Sequence, residues 1–293
     1  MRLLLVLVAL VYSTFAFAEN KDRINLDRLN EIINQTNFIV NNNCSGTLID
    51  LKNKLILTNY HCIDSNVTMV EKEETDSKGR IKKVKSRKYV NVPVSQNTYQ
   101  GFDKVGSAEY ITEIVAENKY RDLALLQIKG DNIPYKFASK IIPDSKKIVR
   151  GEKVYVVGNP AMMDASIVEG VISNLNRTFE FSWTDNEKLP MIQFSGGIYG
   201  GNSGGALYDA EGNLIGVPAA GFNAATFIGL AIPHTIIKKF LKDKCFAEAY
   251  DDKADNEKCE EKKKDDEREE IRKILKESNK DRSEEHTSEL QSP

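Results

Sequence analysis

The sequence has little net charge and few histidines, and both shortages limit what the protein can do. Its 41 Lys and Arg residues nearly balance 43 Asp and Glu, for a net charge of −2 at pH 7, so the charge balance does not favour a nucleic-acid partner. Only 3 histidines are present, which leaves few candidates for a catalytic base. The cysteines lie in no metal-ligand cluster, so we expect neither a metal nor a cofactor.

Long apolar runs are also absent beyond the first 18 residues, so we expect no transmembrane segment after signal removal. The opening MRLLLVLVALVYSTFAFAEN combines the basic Arg2, an apolar middle and the pattern AFA before Glu19. This is typical of a signal peptide. The sequence therefore predicts a signal peptide over 1–18 and a periplasmic or secreted protein.

Cysteine is scarce, with 4 residues in the chain. Export permits disulfides, and four cysteines allow three pairings. Proximity in the sequence favours Cys44 with Cys62 and Cys245 with Cys259.

Short β-rich runs, separated by turn residues, dominate the middle of the chain. They form two successive sets, CSGTLID to LALLQIK and KVYVVG to TFIGLAI, and this pattern predicts two β-barrels. The expected organisation is an N-terminal arm or helix (19–42), a first barrel (43–130), a linker (131–150), a second barrel (151–232), a C-terminal helix (233–245) and a charged tail (246–281).

Two other segments are set apart from the fold. RSEEHTSELQSP, residues 282–293, resembles the in-frame translation of a sequencing adapter, and we exclude it from fold reasoning. The basic run KGRIKKVKSRK, Lys78 to Lys88, is interpreted as a solvated hairpin, with docking of polyanions or acidic substrates as the alternative.

Glycines are concentrated around one serine in GGIYGGNSGGAL, Gly196 to Leu207. Such a cluster fits a phosphate cradle, or a nucleophile on a tight turn with amides directed at an oxyanion. A phosphate loop would be followed by Lys and a helix, whereas the apolar runs that follow here predict a β-hairpin. Ser203 is therefore a candidate nucleophile, with an ordinary glycine-rich loop as the alternative.

A serine nucleophile needs a base, and His61 is the best candidate. It follows the apolar run LILT after two residues, whereas His234 begins the C-terminal helix and His286 lies in the adapter-like segment. Asp122 directly precedes the run LALLQI, where a buried carboxylate needs a partner such as imidazole. Asp64 and Asp103 are weaker candidates, because the first is close to His61 in sequence and the second lies in a polar loop.

The segments LTNYHC, RDLALLQI, GGNSGGALYDAEGNLIG and IGLAIP, in this order, resemble the trypsin-like serine peptidases of the chymotrypsin fold. The bacterial branch with the high-temperature-requirement and glutamyl endopeptidases is most similar, over about residues 43–241. The resemblance implies an all-β fold of two antiparallel six-stranded β-barrels, to which the residue pattern adds a C-terminal helix and a charged tail. It also implies a Ser203, His61 and Asp122 triad that cleaves protein or peptide substrates.

The resemblance extends to the groups around the serine. It implies an oxyanion hole from the amides of Gly201 and Ser203, with Asn202 shaping the turn. It places Cys44 and Cys62 at the family's disulfide beside the histidine. Because Asn202 replaces the aspartate used in zymogen activation, we expect no N-terminal proteolytic activation. Regulation by loop ordering or by homo-oligomerisation stays open.

Substrate specificity is predicted from the same resemblance. Gly197 stands where a preference for Arg or Lys needs an acid, and Pro218 stands near the position of the histidine used for glutamyl preference. The residues expected to line the substrate pocket are small or aliphatic, which predicts cleavage after small or medium aliphatic residues. They are Gly197, Ala219, Ala220, Gly221 and Ile228.

Two other functions fit parts of the pattern. A catalytically silent or latent secreted binding protein on a peptidase scaffold would share the fold. An ester hydrolase would share GxSxG, but it needs a parallel strand before the serine, a helix after it, and a later histidine.

Overall fold

The computed structural model of the chain describes residues 26–75, 79–100, 103–130, 133–182, 188–222 and 225–264. The predicted signal peptide (1–18) and the adapter-like segment (282–293) lie outside these residues. Two compact units are present, one up to Phe240 and one from Leu241.

The first β-barrel closes in the order β1-β2-β3-β8-β7-β6, with antiparallel neighbours throughout. Strands β3 and β8 are short and continuously apolar, and nearly all their side chains are buried. The core includes Phe38, Leu48 and Ile56. The strands of this barrel are β1 (Asn37–Val40), β2 (Cys44–Asp50), β3 (Leu55–Thr58), β6 (Val92–Gln100), β7 (Asp103–Asn118) and β8 (Leu123–Ile128).

A separate hairpin of β4 (Val67–Thr75) and β5 (Ile81–Tyr89) leaves this barrel. Its side chains are mostly exposed, and most of the basic run predicted as a hairpin lies along β5. Arg87 forms an ion pair with the buried Glu117 of β7. This contact ties the hairpin to the barrel wall.

The second β-barrel closes in the order β10-β11-β14-β13-β12-β9, also antiparallel. Its core includes Ile192, Phe194 and Leu207. The strands are β9 (Lys153–Gly158), β10 (Ser166–Glu180), β11 (Lys188–Ser195), β12 (Ala206–Asp209), β13 (Leu214–Phe222) and β14 (Ala225–Pro233). The predicted all-β fold of two six-stranded barrels is confirmed.

Buried polar contacts join the two barrels to the N-terminal helix α1 (Leu26–Thr36). The Tyr208 hydroxyl of β12 lies 2.5 Å from Ser139 Oγ and 3.2 Å from Thr36 Oγ1. Just after the helix, Asn37 Nδ2 donates to Asn159 Oδ1 at 3.0 Å. The residues before β2 and those after β9 are therefore held together.

The end of the described chain contains helix α2 (His234–Asp243) and helical residues 256–264. A disulfide joins Cys245 to Cys259 within the second unit. Among the described residues, no helix is long and apolar enough to span a bilayer.

Candidate active site

His61 lies in a single helical turn, Tyr60–Cys62, that follows strand β3. The Cys44–Cys62 disulfide joins this turn to the start of β2. The His61 side chain is 25% exposed, so one edge of the ring can be reached from solvent while its backbone is anchored.

Asp122 is fully buried and faces His61. Its Oδ2 is 2.8 Å from His61 Nδ1, and its Oδ1 accepts the His61 backbone N–H at 2.9 Å. Asp122 ends the turn Lys119–Arg121 in the left-handed conformation, with φ 52°. A carboxylate only accepts hydrogen bonds, so this contact places the imidazole proton on Nδ1.

The other two carboxylates considered as partners are exposed. Asp64 lies in a short turn after His61, and Asp103 is the first residue of β7 rather than part of a loop. Buried, paired geometry is therefore found at Asp122 and not at these two.

Ser203 is partly exposed in the loop between β11 and β12. Its carbonyl oxygen accepts from the Ser45 N–H at 2.7 Å and lies 3.7 Å from Cys62 Sγ. The structure thus brings the serine loop against the turn that carries His61. The other histidine of the described part of the chain, His234, begins α2, and His286 lies outside the described residues.

The glycines flanking Ser203 are required by space as well as by backbone angle. Gly204 has φ +81°, and a Cβ there would lie 2.2 Å from both the Ser45 carbonyl oxygen and Thr58 Oγ1. Gly201 has φ +104°, and a Cβ there would lie 2.2 Å from the Asn159 carbonyl oxygen. A side chain at either position would strain the backbone and overlap with a neighbour.

Consecutive carbonyl groups of this loop are all engaged. The Gly200 carbonyl accepts from Ala161 N at 2.7 Å, and the Gly201 carbonyl accepts from Ser45 Oγ at 2.7 Å. The Asn202 carbonyl accepts from Gly205 N at 3.0 Å. Within the described part of the chain, the N–H groups of Gly201 and Ser203 donate to no protein acceptor. Both N–H groups are therefore left without an acceptor among these residues.

Four of the predicted pocket residues lie on strands β13 and β14 of the second barrel, and the fifth, Gly197, lies in the serine loop itself. Ile228 pairs with Ser195, Ala220 with Leu230 and Gly221 with Gly229. Ala219 is buried, whereas Gly197, Ala220 and Ile228 are partly exposed.

Sequence reasoning missed the large side chains next to these small residues. Ile198 lies against Gly221, where a Cβ would be 2.3 Å from Ile198 Cγ2. The Phe194 ring fills the space over Gly229, and the Tyr199 ring lies beside Gly197. The sequence feature that could have indicated these side chains is the presence of Ile198 and Tyr199 within the glycine-rich loop.

The ligand atoms of Cys44, Cys62 and His61 lie within 4.8 Å of one another. Both sulfurs form the disulfide, and a metal requires thiolates. In this oxidised state, the cluster is a structural support for the histidine turn and not a metal centre.

Comparison with known proteins places the chain in a family. The model of the trypsin-like peptidase domain matches residues 44–217. Curated relatives include the proteins named "Serine protease HtrA-like" of Staphylococcus aureus strains USA300 and NCTC 8325 / PS 47, each 33% identical over 141 residues. The match covers 45% of this chain and 18% of each relative, so the chain spans about a fifth of their length.

A solved structure of the HtrA-type protease AlgW with a tripeptide superimposes with a TM-score of 0.51. It is 23% identical and covers 73% of this chain and 62% of the AlgW chain. This similarity supports the two-barrel fold, and the family model covers more than half of the chain. The chain therefore belongs to the family of trypsin-like peptidase domains.

Proposed function

We propose that this chain is an exported serine endopeptidase, with its active site between the two barrels predicted over 43–130 and 151–232. The observation that carries the proposal is the contact of 2.8 Å between His61 Nδ1 and the fully buried Asp122. A buried carboxylate is costly unless it is paired, and this pairing holds the imidazole in the tautomer that can accept a proton on Nε2.

The reaction follows from these positions. Ser203 Oγ attacks the scissile carbonyl carbon while His61 Nε2 takes the hydroxyl proton. His61 then gives that proton to the leaving amine, and an acyl-enzyme forms on Ser203. Water, activated by the same imidazole, hydrolyses the ester. Throughout, Asp122 holds the orientation of the ring and stabilises the imidazolium.

The oxyanion of the tetrahedral intermediate is bound by the amides of Gly201 and Ser203, with Asn202 forming the turn between them. Their N–H groups have no protein acceptor among the described residues, which supports this role. One such donor is typically worth about 2.7–4 kcal/mol of transition-state stabilisation.

The side chain that precedes the cleaved bond enters a pocket bounded by Gly197, Ala219, Ala220, Gly221 and Ile228. The neighbouring Ile198 and Phe194 make this region apolar. A charged substrate side chain would be desolvated there without a partner. The preference is therefore for small or medium aliphatic residues.

Export to the periplasm or the exterior accounts for two features at once. The signal-like N-terminus directs the chain outward, and both cysteine pairs form disulfides, which persist in oxidising compartments. The substrates are proteins or peptides.

The test is labelling of the protein from Glu19 onward with a fluorophosphonate probe, followed by location of the adduct by mass spectrometry and by assay of protein cleavage. The expected result is label on Ser203 and turnover of an unfolded protein substrate. Ser203→Ala is the control and should lose both.

A negative result in both assays would point to the alternative function. Absence of both label and cleavage, in protein shown to be folded by circular dichroism, would overturn the peptidase proposal. It would favour a silent or latent binding protein on this scaffold.

A further inference from the structure

Ser45 lies directly behind the serine loop and is fully buried at the start of β2. Its N–H donates to the Ser203 carbonyl at 2.7 Å, and its Oγ donates to the Gly201 carbonyl at 2.7 Å. One residue of the first barrel therefore holds two carbonyls of a loop that belongs to the second.

The direction of the Ser45 hydroxyl proton is set by Asn159. Both the backbone N–H and the side-chain Nδ2 of Asn159 donate to Ser45 Oγ, at 2.9 and 3.0 Å. A hydroxyl has two acceptor lone pairs and one proton. Because both lone pairs are used, the proton is left for the Gly201 carbonyl.

Asn159 is itself fixed. Its Oδ1 accepts from Asn37 Nδ2 and from the Ala165 N–H, each at 3.0 Å, and its Nδ2 also donates to the Phe38 carbonyl at 2.9 Å. The side-chain amide cannot rotate without breaking these contacts. The orientation of Ser45 is thus determined by a chain of buried polar groups.

The two peptides held by Ser45 adjoin the peptides that carry the donor amides. In a trans peptide the C=O and the following N–H point in opposite directions. Ser45 donates hydrogen bonds to the carbonyls of the peptides 201–202 and 203–204. These two peptides flank the peptide 202–203, which presents the Ser203 N–H. The Gly201 N–H belongs to the same residue as the Gly201 carbonyl that accepts from Ser45 Oγ. The Gly201 and Ser203 N–H groups lie in the peptides 200–201 and 202–203, whose own carbonyls accept from Ala161 N and Gly205 N. Each of these peptides is followed by one whose carbonyl Ser45 holds, so Ser45 limits the directions of both donors from the C-terminal side.

We infer that Ser45 is a positioning residue for the oxyanion hole, acting through the carbonyls of Gly201 and Ser203. This inference rests on the proposed function. Ser45 does not touch the substrate. It restricts the two donors to the directions in which they bind the oxyanion, and Asn159 orients its hydroxyl for this task.

The test compares Ser45→Ala with wild type in steady-state cleavage of a fluorogenic peptide with an aliphatic residue before the cleaved bond. The variant keeps the Ser45 N–H and removes only the hydroxyl. We expect kcat to fall about 10-fold to 100-fold, less than the 10²–10³-fold typical of removing a whole oxyanion donor. KM should change by less than about twofold, because ground-state binding does not use the hole.

Two ligands separate positioning from a general loss of structure. A peptide boronic acid reproduces the tetrahedral adduct, and its affinity should fall by the same factor as kcat/KM. The matching cleaved peptide, with a free carboxylate, should bind wild type and variant equally. A structural defect of the pocket would weaken both ligands.

Thr112→Val is the matched control. Thr112 is also buried in the first barrel, and its hydroxyl donates to the Val92 carbonyl at 2.8 Å. The control removes a bond of the same kind between β6 and β7, away from the serine loop. It should lose less stability than Ser45→Ala, because Thr112 makes one such bond where Ser45 makes three, and it should keep its kcat.

If Ser45→Ala unfolds at the assay temperature, Asn159→Ala decides the question. It keeps the Ser45 hydroxyl and removes one of the two donors that direct it, so kcat should fall about 3-fold to 10-fold with KM unchanged. If the wild type is active and the folded variant has an unchanged kcat, the inference about Ser45 is overturned and the proposed function stands. Wild type that neither labels nor cleaves would overturn the proposed function, and the role of Ser45 with it.

Discussion

At the scale of single residues, pairing with His61 explains how the fold can bury the carboxylate of Asp122, which would be costly without a partner. Asp122 is completely buried, and it is paired with both the backbone and the ring of His61. Asn59 Nδ2 also donates to the Asp122 carbonyl at 2.9 Å. The position of the acid is therefore set by its backbone as well as by its charge.

Replacement of Asp122 tests the triad. Asp122→Asn is expected to lower kcat about 10⁴-fold with little effect on KM, because the amide favours the wrong imidazole tautomer. The measurement is steady-state peptide hydrolysis, with melting curves to confirm folding. Asp64→Asn, at an exposed carboxylate three residues from His61, is the control and should retain full activity. Similar kcat values in both variants would contradict the assignment of Asp122.

His234 predicts an effect of pH on stability. Burial, together with the nearby Lys238 cation, lowers the pKa of His234 below its ordinary value of 6.5. The unfolded chain then binds more protons than the folded protein, so stability falls as pH decreases below about 6.5. The loss is complete once the pH is below the pKa of the folded state.

The measurement is the urea midpoint at pH 7 and pH 5 for wild type and His234→Gln, both in a Ser203→Ala background that prevents autolysis. Gln is polar but does not titrate. The midpoint should fall more for the histidine protein than for the glutamine variant. Parallel pH profiles would show that His234 contributes nothing.

At the scale of elements, the serine loop is determined by the surfaces that enclose it. Several of its glycines contact the backbone of neighbouring segments so closely that no side chain fits. The adjoining turn after β9 is also unusual, since Ala161, Met162 and Ala165 all have positive φ. Ala161 N donates to the Gly200 carbonyl at 2.7 Å, so these two strained segments support each other.

A pair of alanine substitutions tests this packing. Gly204→Ala should destabilise the protein by about 2–4 kcal/mol, because it combines overpacking with a left-handed backbone. Gly200→Ala is matched in type, but a Cβ there meets nothing within 4 Å, and its cost should be less than about 0.5 kcal/mol. The free energy of unfolding in urea is the readout. Equal costs would show that the close contacts at Gly204 do not constrain the loop.

At the scale of the whole molecule, buried hydroxyl groups connect helix α1, the linker and the second barrel. Tyr208 is fully buried and meets both Ser139 and Thr36. Thr36 donates its own proton to the Ile32 carbonyl at 2.7 Å. Tyr208 must therefore be the donor to Thr36, with Ser139 as the donor to Tyr208.

Removal of this hydroxyl tests the connection. Tyr208→Phe should lower the free energy of unfolding by about 1–3 kcal/mol, because buried partners lose their hydrogen bonds. Tyr155→Phe is the control: Tyr155 pairs with Tyr208 across β9 and β12, and its hydroxyl has no partner within the described residues. The unfolding transition of Tyr208→Phe should remain a single one. No loss in Tyr208→Phe relative to Tyr155→Phe would exclude a stabilising role.

The sequence by itself determined the fold class and the candidate chemistry of this protein. Apolar runs such as LILT and LALLQI predicted the strands, because continuous burial requires apolar side chains, and the glycine cluster marked Ser203. Both disulfide pairs were predicted from proximity, and the structure contains them. The roles of Ser203, His61 and Asp122 remain predictions that the proposed experiments test.

Only the tertiary structure decided which distant groups meet. Nothing local in CSGTLID indicates that Ser45 reaches the Gly201 carbonyl, 156 residues away in sequence. Likewise, nothing in GNPAMM indicates that Asn159 directs the Ser45 hydroxyl. Such contacts arise where two closed barrels face each other, and hydrophobic periodicity specifies each barrel's interior but not the polar surface between them. Buried polar groups at that surface must find partners, and the partners come from wherever the folded backbone brings them.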